Sequence, residues 1–165
     1  DVVSWGGSMT MEALGVIDRV KKGGWRVIDR STAQSQEEKI EIMRRALLCD
    51  TYLTGTNAIS EDGEIVNVDG NGNRVAAMTF GPKSVIVACG MNKVVKTAED
   101  AASRARNTAA PVNAQRFDIR TPCKTTGSCA DCKSTDSICS YIVRTRLCKP
   151  AGRIKVVLIG EALGF

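Results

Sequence analysis

The stretch TGTNAISEDGEIVNVDGNGNRVAAM, residues 54–78, decides which fold this chain is expected to adopt. Two apolar patches lie on either side of Glu61-Asp62-Gly63, a typical hairpin turn, and EIVNV (64–68) alternates with the two-residue period of a strand. The run TYLTG (51–55) leads into this hairpin, and SVIVACG (84–90) follows it with the unbroken apolarity of a strand buried on both faces. The sequence therefore predicts a β-hairpin inserted between buried strands.

Outward from this hairpin, strand-like and helix-like patterns alternate along the chain. The other strand-like runs are VVSW (2–5), WRVID (25–29) and RIKVVLIG (153–160). Helical periodicity predicts three helices. The first covers residues 8–22, and the second begins at a capping box, Ser35–Glu38, and ends at Cys49. The third covers 97–111, where Pro111 is expected to end the helix. This alternation predicts an α/β fold with a largely parallel sheet flanked by helices.

Length and composition place the chain among globular proteins of one domain, residues 1–165. Hydrophobic residues make up 43% and charged residues 25%, and no apolar run approaches the roughly 18 residues needed to span a membrane. No signal-peptide pattern precedes the first strand, so a cytoplasmic location is expected. Because a strand at residue 2 seldom begins a parallel sheet, we also expect that an N-terminal segment is missing or that another chain completes the sheet.

Positive charge is concentrated in the last third of the chain. The net charge is +5, and residues 101–165 carry 11 Lys and Arg against 4 Asp and Glu. Such an excess favours an anionic partner. Nucleic acid is disfavoured, because bases stack on aromatic side chains and this third holds only Phe117, Tyr141 and Phe165. A solvated basic face is the simpler interpretation of this charge, and binding of a small anionic ligand is the alternative.

A glycine-rich turn, SWGGSMT (4–10), joins the first strand to the first helix. Gly6 and Gly7 allow a ligand to approach the backbone, and a helix N-terminus attracts anions. Because ligands bind at the carboxyl ends of parallel strands, the TGTN turn (54–57) is expected to contribute as well. The predicted binding residues for a phosphate, nucleotide, CoA-like molecule or carboxylate are Ser4, Gly6, Gly7, Ser8, Thr10, Thr54, Gly55, Asn57, Asp69 and Arg74. A plain tight turn at the two glycines, and a surface ion pair for Arg74, are the structural alternatives.

The chain has seven cysteines and no histidine, which excludes Ser-His-Asp and Cys-His catalysis and histidine-ligated metals. Cys49 and Cys89 fall in a helix end and a buried strand and are interpreted as small core residues. The Cys-rich loop at 121–139 spaces its thiols as C-x5-C-x2-C-x6-C, and clustered cytoplasmic thiols more often bind metal than form disulfides. The predicted ligands of one metal centre, a [4Fe–4S] cluster with zinc as the alternative, are Cys123, Cys129, Cys132 and Cys139, with Cys148 as a spare. Unligated reduced thiols are the structural alternative.

Five segments resemble the lactate-utilisation (LUD) domain family in the same order along the chain. They are SWGGSMT (4–10), the stretch 54–78, RNTAAPVNAQR (106–116), TPCKTTGSCADCKSTDSIC (121–139) and RIKVVLIGEALGF (153–165). The resemblance covers essentially the whole chain and implies a single LUD-type domain with the NagB/RpiA/CoA-transferase-like fold of sugar-phosphate isomerases and 5-formyltetrahydrofolate cyclo-ligase. It also implies a role in bacterial lactate or organic-acid oxidation beside iron–sulfur partner proteins of an electron-transfer complex. Family members usually carry an N-terminal helical segment before the SWGG strand.

The hairpin departs from the related isomerases at one position. It is similar to the GAD…DG…VNKIGT segment of methylthioribose-phosphate isomerase, but Asn57 stands where those enzymes place a catalytic Asp. An amide cannot act as a general base, so aldose–ketose isomerisation is not expected. Two alternatives remain beside the lactate-oxidation role: a non-catalytic binding or regulatory module that keeps an isomerase-like cradle, and an acyl- or CoA-handling enzyme. A homo-oligomer is compatible with all three.

Overall fold

The computed structural model describes residues 1–165 and contains two β-sheets. The nine strands are β1 (Val2–Trp5), β2 (Arg26–Ile28), β3 (Thr51–Gly55), β4 (Ala58–Ser60), β5 (Ile65–Asp69), β6 (Ser84–Gly90), β7 (Val94–Val95), β8 (Tyr141–Thr145) and β9 (Ile154–Ile159). One sheet has the order β2-β1-β3-β6-β9, and all of its pairings are parallel. The predicted parallel sheet is therefore confirmed.

Short helices connect the strands and cover the sheets. They are α1 (Met9–Ala13), α2 (Val16–Lys22), α3 (Gln36–Ala46), α4 (Asn73–Thr79), α5 (Ala98–Arg104), α6 (Ala110–Ala114) and α7 (Pro122–Thr126). Two 3₁₀ turns, Arg30–Thr32 and Met91–Lys93, and a π-helical turn at Ala105–Ala109 complete the helical elements. The longest helix, α3, has 11 residues, and none is long and apolar enough to cross a membrane.

The hairpin predicted from residues 54–78 is present as β4 and β5. These strands pair antiparallel, with Ile59 opposite Ile65. The hairpin extends into a four-stranded sheet of order β7-β4-β5-β8, in which β8 pairs antiparallel with β5 from Ile65↔Thr145 to Asp69↔Tyr141. The sequence predicts the hairpin but not this second sheet.

Burial on both faces fixes the parallel sheet between two helical layers. On one face, Tyr52 and Val85 pack against Met78 of α4. On the other face, Met11 of α1 packs against Val3 and neighbouring strands. The second sheet has its own core, in which Val66 of β5 packs with Ala101 of α5 and Ala105 of the π-helical turn. All three residues are completely buried. Cys49 and Cys89 are at most 1% exposed and belong to the first core, as predicted for small core residues.

Two helix predictions are wrong at specific residues. The helix expected over 8–22 ends at Ala13 and restarts at Val16, because Gly15 adopts a left-handed φ of 62°. The helix expected to end at Pro111 continues to Ala114. The π-helical turn at Ala105–Ala109 comes directly before α6, and Pro111 is among the first two residues of α6.

Strand β1 lies inside the parallel sheet, paired with β2 on one side and β3 on the other. Its second residue, Val3, is buried, and the backbone N–H of Val2 donates to the Asp50 carboxylate at 2.8 Å. The carboxyl ends of β1, β3 and β6 consequently meet at the same edge of the sheet. The expected additional N-terminal segment stays a prediction.

Candidate anion site and cysteine cavity

Two glycine turns meet at the carboxyl ends of β1 and β3. These strands are adjacent and parallel, so the SWGGS and TGTN turns leave the sheet at the same edge. The backbone N–H of Gly6 donates to the Leu53 carbonyl at 3.0 Å. A Cβ at Gly55 would lie 2.5 Å from the Ser8 hydroxyl oxygen, so a side chain at this position would displace Ser8.

A cavity of about 60 Å³ opens between the two turns. A wider cleft of about 500 Å³ adjoins this cavity and reaches Asp69. The structure therefore brings six of the ten predicted binding residues to one place. Five of them line the cavity: Gly7, Ser8, Gly55, Asn57 and Arg74.

The other four predicted residues do not line this cavity. The Ser4 hydroxyl donates to the Ile28 carbonyl at 2.8 Å, and the Thr54 hydroxyl donates to its neighbouring carbonyl at 3.0 Å. Gly6 leaves room for Arg74, whose Cδ would lie 3.1 Å from a Cβ at that position. Thr10 is completely buried below the cavity floor. These residues shape the turns from within.

The Arg74 guanidinium ties the hairpin to the end of β3. Its Nη1 donates to the Gly55 carbonyl at 3.3 Å and to Asn67 Oδ1 at 2.7 Å. Its Nη2 donates to Asn57 Oδ1 at 3.0 Å and to the Val68 carbonyl at 2.7 Å. Burial lowers the pKa of Arg74. Because all four terminal N–H groups have partners within the protein, Arg74 maintains the shape of the cavity.

Asp69 and Asn57 complete this polar connection. Asp69 Oδ2 accepts from the backbone N–H groups of Arg74 and Val75, at 3.0 and 3.1 Å, and so caps helix α4. Asn57 Oδ1 accepts from the backbone N–H of Val68 at 2.9 Å as well as from Arg74. The amide of Asn57 therefore holds β4 to β5.

Lys93 is a functional candidate that the sequence reasoning missed. It ends the turn after β6, yet it is only 3% exposed and lines the cavity together with Asn113 and Arg116. Its Nζ donates to the Thr10 hydroxyl at 2.8 Å. One signal was available in the sequence, since a lysine directly after a buried parallel strand lies at the same sheet edge as the two glycine turns.

Charges around Lys93 are mostly of its own sign. Burial is the main reason that the pKa of Lys93 falls to about 8. The thiol of Cys89 opposes this fall, whereas Arg104 and Arg74 add to it. Arg104 itself is held by the Asn92 carbonyl at 3.0 Å and by the Asn57 carbonyl. The cavity floor therefore favours a negative charge.

Residues 161–165 lie across the same edge of the sheet. The Thr10 hydroxyl donates to the Leu163 carbonyl at 3.2 Å. Asn92 accepts from the Leu163 N–H at 3.1 Å and donates to the Gly164 carbonyl at 3.0 Å. Phe165 lines the cavity. This segment closes one side of the site.

The four predicted metal ligands line a second cavity, of about 50 Å³, between the Cys-rich loop and helix α6. Asp131 has a positive φ of 51°, and its N–H is directed at Cys129 Sγ at 3.5 Å. Arg106 from the π-helical turn lies 4.0 Å from the same sulfur and pairs with Asp131. Two hydrogen-bond donors therefore surround the sulfur of Cys129. The four thiols belong to Cys123, Cys129, Cys132 and Cys139.

These thiols repel one another as thiolates. Burial raises the pKa of Cys139, and Cys123, Cys129 and Cys132 raise it further. A cation among the sulfurs would relieve this repulsion, and four thiolates are a donor set suited to Zn²⁺ and to iron–sulfur clusters. The donor type fits a metal, although no three Cys, Asp or Glu side chains are arranged closely enough to hold a metal ion in this loop conformation.

Cys148, the predicted spare ligand, lies apart from this cavity. Its Sγ accepts from the Ile154 backbone N–H at 3.2 Å, and it lines a different groove beside Arg153. All seven cysteines are free thiols. The cysteine cavity and the 500 Å³ cleft share Ser137 and Ile138 as lining residues.

A five-stranded parallel sheet flanked by helices, with a cavity at the carboxyl ends of its strands, defines an α/β protein. The second sheet, built on the inserted hairpin, distinguishes it within that class. The chain belongs to the LUD domain family, whose model matches residues 1–159. The resemblance carried by the five sequence segments is thereby confirmed.

Two solved structures are similar to this chain at low identity. A DUF162 family protein from Deinococcus radiodurans is 14% identical, with a TM-score of 0.41 over 96% of this chain and 87% of that chain. The eIF2B delta structure from Chaetomium thermophilum is 18% identical, with a TM-score of 0.34 over 61% of this chain and 44% of that chain. No curated protein matches the sequence.

Proposed function

We propose that this LUD-family protein supports bacterial lactate or organic-acid oxidation by binding a small anionic ligand where its two glycine turns meet. Membership of the family supports a role related to lactate utilisation. The observation that carries the ligand site is the junction of the Gly6-Gly7 and Gly55 turns at a cavity lined by Lys93 and Arg116. Cationic side chains and a close backbone approach together favour an anion.

An isomerase mechanism has no support at this site. Asn57 cannot accept a proton as a general base, and its Oδ1 is already engaged by Val68 and Arg74. This observation favours a second candidate, a non-catalytic binding or regulatory module that keeps the cradle. The two candidates share the ligand site and differ in whether the bound molecule is transformed.

Isothermal titration calorimetry with phosphate, a nucleotide, L-lactate and pyruvate tests the ligand site directly. Gly55→Ala is expected to weaken binding at least tenfold, because its Cβ would meet the Ser8 hydroxyl at 2.5 Å. Gly160→Ala is the matched control, since a Cβ there meets nothing within 4 Å. Failure of every compound in the panel to bind the wild-type protein would overturn the proposal.

We further propose that Cys123, Cys129, Cys132 and Cys139 hold one metal centre, a [4Fe–4S] cluster with zinc as the alternative. Their common cavity and the two donors near Cys129 support this assignment. A bound cluster would supply one-electron chemistry, which suits electron exchange with iron–sulfur partner proteins of lactate oxidation. The chain's own residues hold the thiolates and, through Arg106, offset their charge.

Anaerobic purification followed by iron, sulfide and zinc assays tests the metal centre. Cys132→Ser is expected to lower the bound metal, whereas Cys148→Ser, outside the cavity, is expected to leave it unchanged. Stoichiometric zinc in colourless protein would select the alternative. Protein that binds neither metal, even after reconstitution with iron and sulfide, would refute the assignment.

A further inference from the structure

Lys93 is a buried cation without a buried counter-ion. It is 3% exposed, and its one hydrogen-bond partner is the neutral Thr10 hydroxyl at 2.8 Å. No carboxylate lies within 4 Å of its Nζ in the described residues, which span the whole chain. A buried charge normally has a partner, because removal of an isolated charge from water is costly. The arrangement is therefore incomplete without a negative group.

The neighbouring cations already have partners. Arg74 donates its four terminal N–H groups to oxygens of the protein. Arg104 is engaged by the carbonyls of Asn92 and Asn57, and Arg116 lies 3.9 Å from Glu12. The charge of Asp69 acts on Arg74, so Lys93 is the cavity-lining cation that has neither a carboxylate nearby nor a full set of hydrogen bonds. Its one positive charge matches one negative charge.

We propose that Lys93 binds the carboxylate of a small organic acid, which supplies the counter-charge missing from the cavity floor. This inference rests on the proposed function and specifies the class of its ligand. The cavity of about 60 Å³ has space for about four water molecules, which suits a carboxylate and a few further atoms. The cavity opens into the wider cleft past Arg116 and Asn113, so the rest of the acid extends there.

A doubly charged phosphate fits this floor less well. The terminal N–H groups of Arg74 are all occupied, so no guanidinium fork is available to it at the floor. Helix α1, which begins at Met9, has only five residues and adds little dipole field. A single ammonium with amide and hydroxyl neighbours is suited to a monoanion.

Proton uptake distinguishes this binding mode from a merely structural role of Lys93. The pKa of Lys93 is about 8 in the free protein, because burial, Arg104 and Arg74 outweigh the opposing effect of Cys89. A bound carboxylate favours the charged amine and raises this pKa. At pH 8, binding is therefore expected to take up about half a proton per ligand.

The test is calorimetry of acetate, L-lactate, pyruvate and phosphate at pH 8, in two buffers with different enthalpies of ionisation. Wild-type protein is expected to bind at least one carboxylate with proton uptake. Lys93→Met is expected to bind that acid at least tenfold more weakly and without proton uptake. Lys96→Met removes an exposed lysine three residues away and is expected to match the wild type in both respects.

The outcomes separate this inference from the function proposed above. Equal carboxylate affinity in wild type and Lys93→Met, with both proteins folded by circular dichroism, would overturn the role of Lys93 and leave the ligand site standing. Tighter binding of phosphate than of any carboxylate would overturn the ligand class. An absence of binding across the whole anion panel would remove the proposed function itself, together with this inference.

Discussion

At the scale of single residues, Asn57 stands where the resemblance to isomerases implies a catalytic Asp, and it also stabilises the hairpin. Its Oδ1 accepts from the Val68 N–H at 2.9 Å and from Arg74 Nη2 at 3.0 Å. Both interactions need only an acceptor, which a carboxylate provides as well. Asn57 therefore differs from an aspartate in its inability to act as a base, and the hydrogen bonds around it are compatible with either side chain.

Substitution of Asn57 tests this interpretation. Asn57→Asp is expected to keep at least wild-type stability, because its carboxylate accepts both hydrogen bonds and pairs with Arg74. Asn57→Leu leaves these donors without an acceptor and is expected to lower the free energy of unfolding by about 2–3 kcal/mol. Urea denaturation measures both effects. A destabilised Asp variant beside an undamaged Leu variant would contradict the assignment.

Asn57→Asp is not expected to gain isomerase activity. Its carboxylate would lie against the Arg74 guanidinium, which holds the pKa of a carboxyl low and weakens it as a base. An assay of sugar-phosphate isomerisation on the folded variant measures this. Isomerase activity well above that of the wild type would contradict this expectation and show that the site lacks only a carboxylate at position 57.

Lys93 is also expected to make stability depend on pH. Its pKa is about 8 in the folded protein and 10.5 for an ordinary lysine, so the unfolded chain binds more protons between these values. The free energy of unfolding therefore rises with pH from about 8 to 10.5, and the full penalty is present below that window. Across this pH range the free energy of unfolding is expected to rise by roughly 3 kcal/mol at most.

Lys93→Met is expected to remove this rise. Relative to wild type, the variant gains more stability at pH 7 than at pH 10, as measured by urea denaturation at both values. Lys96→Met, at an exposed position, is expected to retain the wild-type pH dependence. A stability difference that is the same at both pH values would argue against a depressed pKa.

Single residues also show where sequence reasoning stops. Gly55 and Asn57 could be predicted as site residues, because a turn at the carboxyl end of a buried strand is visible in the sequence. The position of Lys93 after a buried strand is visible in the sequence, but its burial is not, since this burial depends on Thr10 and on residues 161–165, far away in the chain. Ser4 and Thr54 were chosen for their hydroxyls, which the fold turns toward main-chain carbonyls.

At the scale of elements, Arg153 connects the start of β9 to the end of helix α4. Its guanidinium donates to the carbonyls of Ala77, Met78 and Thr79, and also to that of Pro82 at 3.1 Å. The last carbonyls of a helix lack partners within the helix, and a cation there interacts favourably with its dipole. Arg153 thus caps α4 from a distant strand.

Loss of this cap is expected to be costly. Arg153→Met leaves several partly buried carbonyls unpaired and is expected to lower the free energy of unfolding by about 2–3 kcal/mol. Arg26→Met, at an exposed position of β2, is expected to change it by less than about 0.5 kcal/mol. Urea denaturation of the two variants compares the effects, and equal losses would remove the capping role.

Local patterns predict elements better than they predict partners. The Glu61-Asp62-Gly63 turn and the alternation of EIVNV identify the hairpin, because both signals lie within a few residues. The pairing of β5 with β8 joins Ile65 to Thr145 across the Cys-rich loop, and no local pattern encodes it. The helix predicted over 8–22 is interrupted because Gly15 adopts a left-handed backbone conformation. The apolar periodicity of the neighbouring residues does not indicate this conformation.

At the scale of the whole molecule, the seven thiols fall into two groups of different accessibility. Cys49 and Cys89 are completely enclosed, and burial raises the pKa of Cys49 to about 11 and also raises that of Cys89. The other five are partly exposed. The native protein without metal is therefore expected to react with five equivalents of DTNB, and the denatured protein with seven.

The same titration examines the metal centre independently. Protein loaded with iron or zinc is expected to show one rapidly reacting thiol, Cys148, because four others would be ligands. Cys148→Ser, loaded in the same way, should show none. Five reactive thiols in a metal-loaded sample would place the metal elsewhere.

The hydrogen bond between Thr10 and Leu163 joins residues 153 positions apart, and the bond from Lys93 to Thr10 spans 83 positions. Contacts of such separation carry a large loop-closure entropy and tend to form late when a chain folds. A partly folded intermediate with native helices would accordingly lack the proposed anion site. During refolding, recovery of ligand binding should lag behind recovery of the helical circular dichroism signal, so the ligand acts as a reporter of the final folding step.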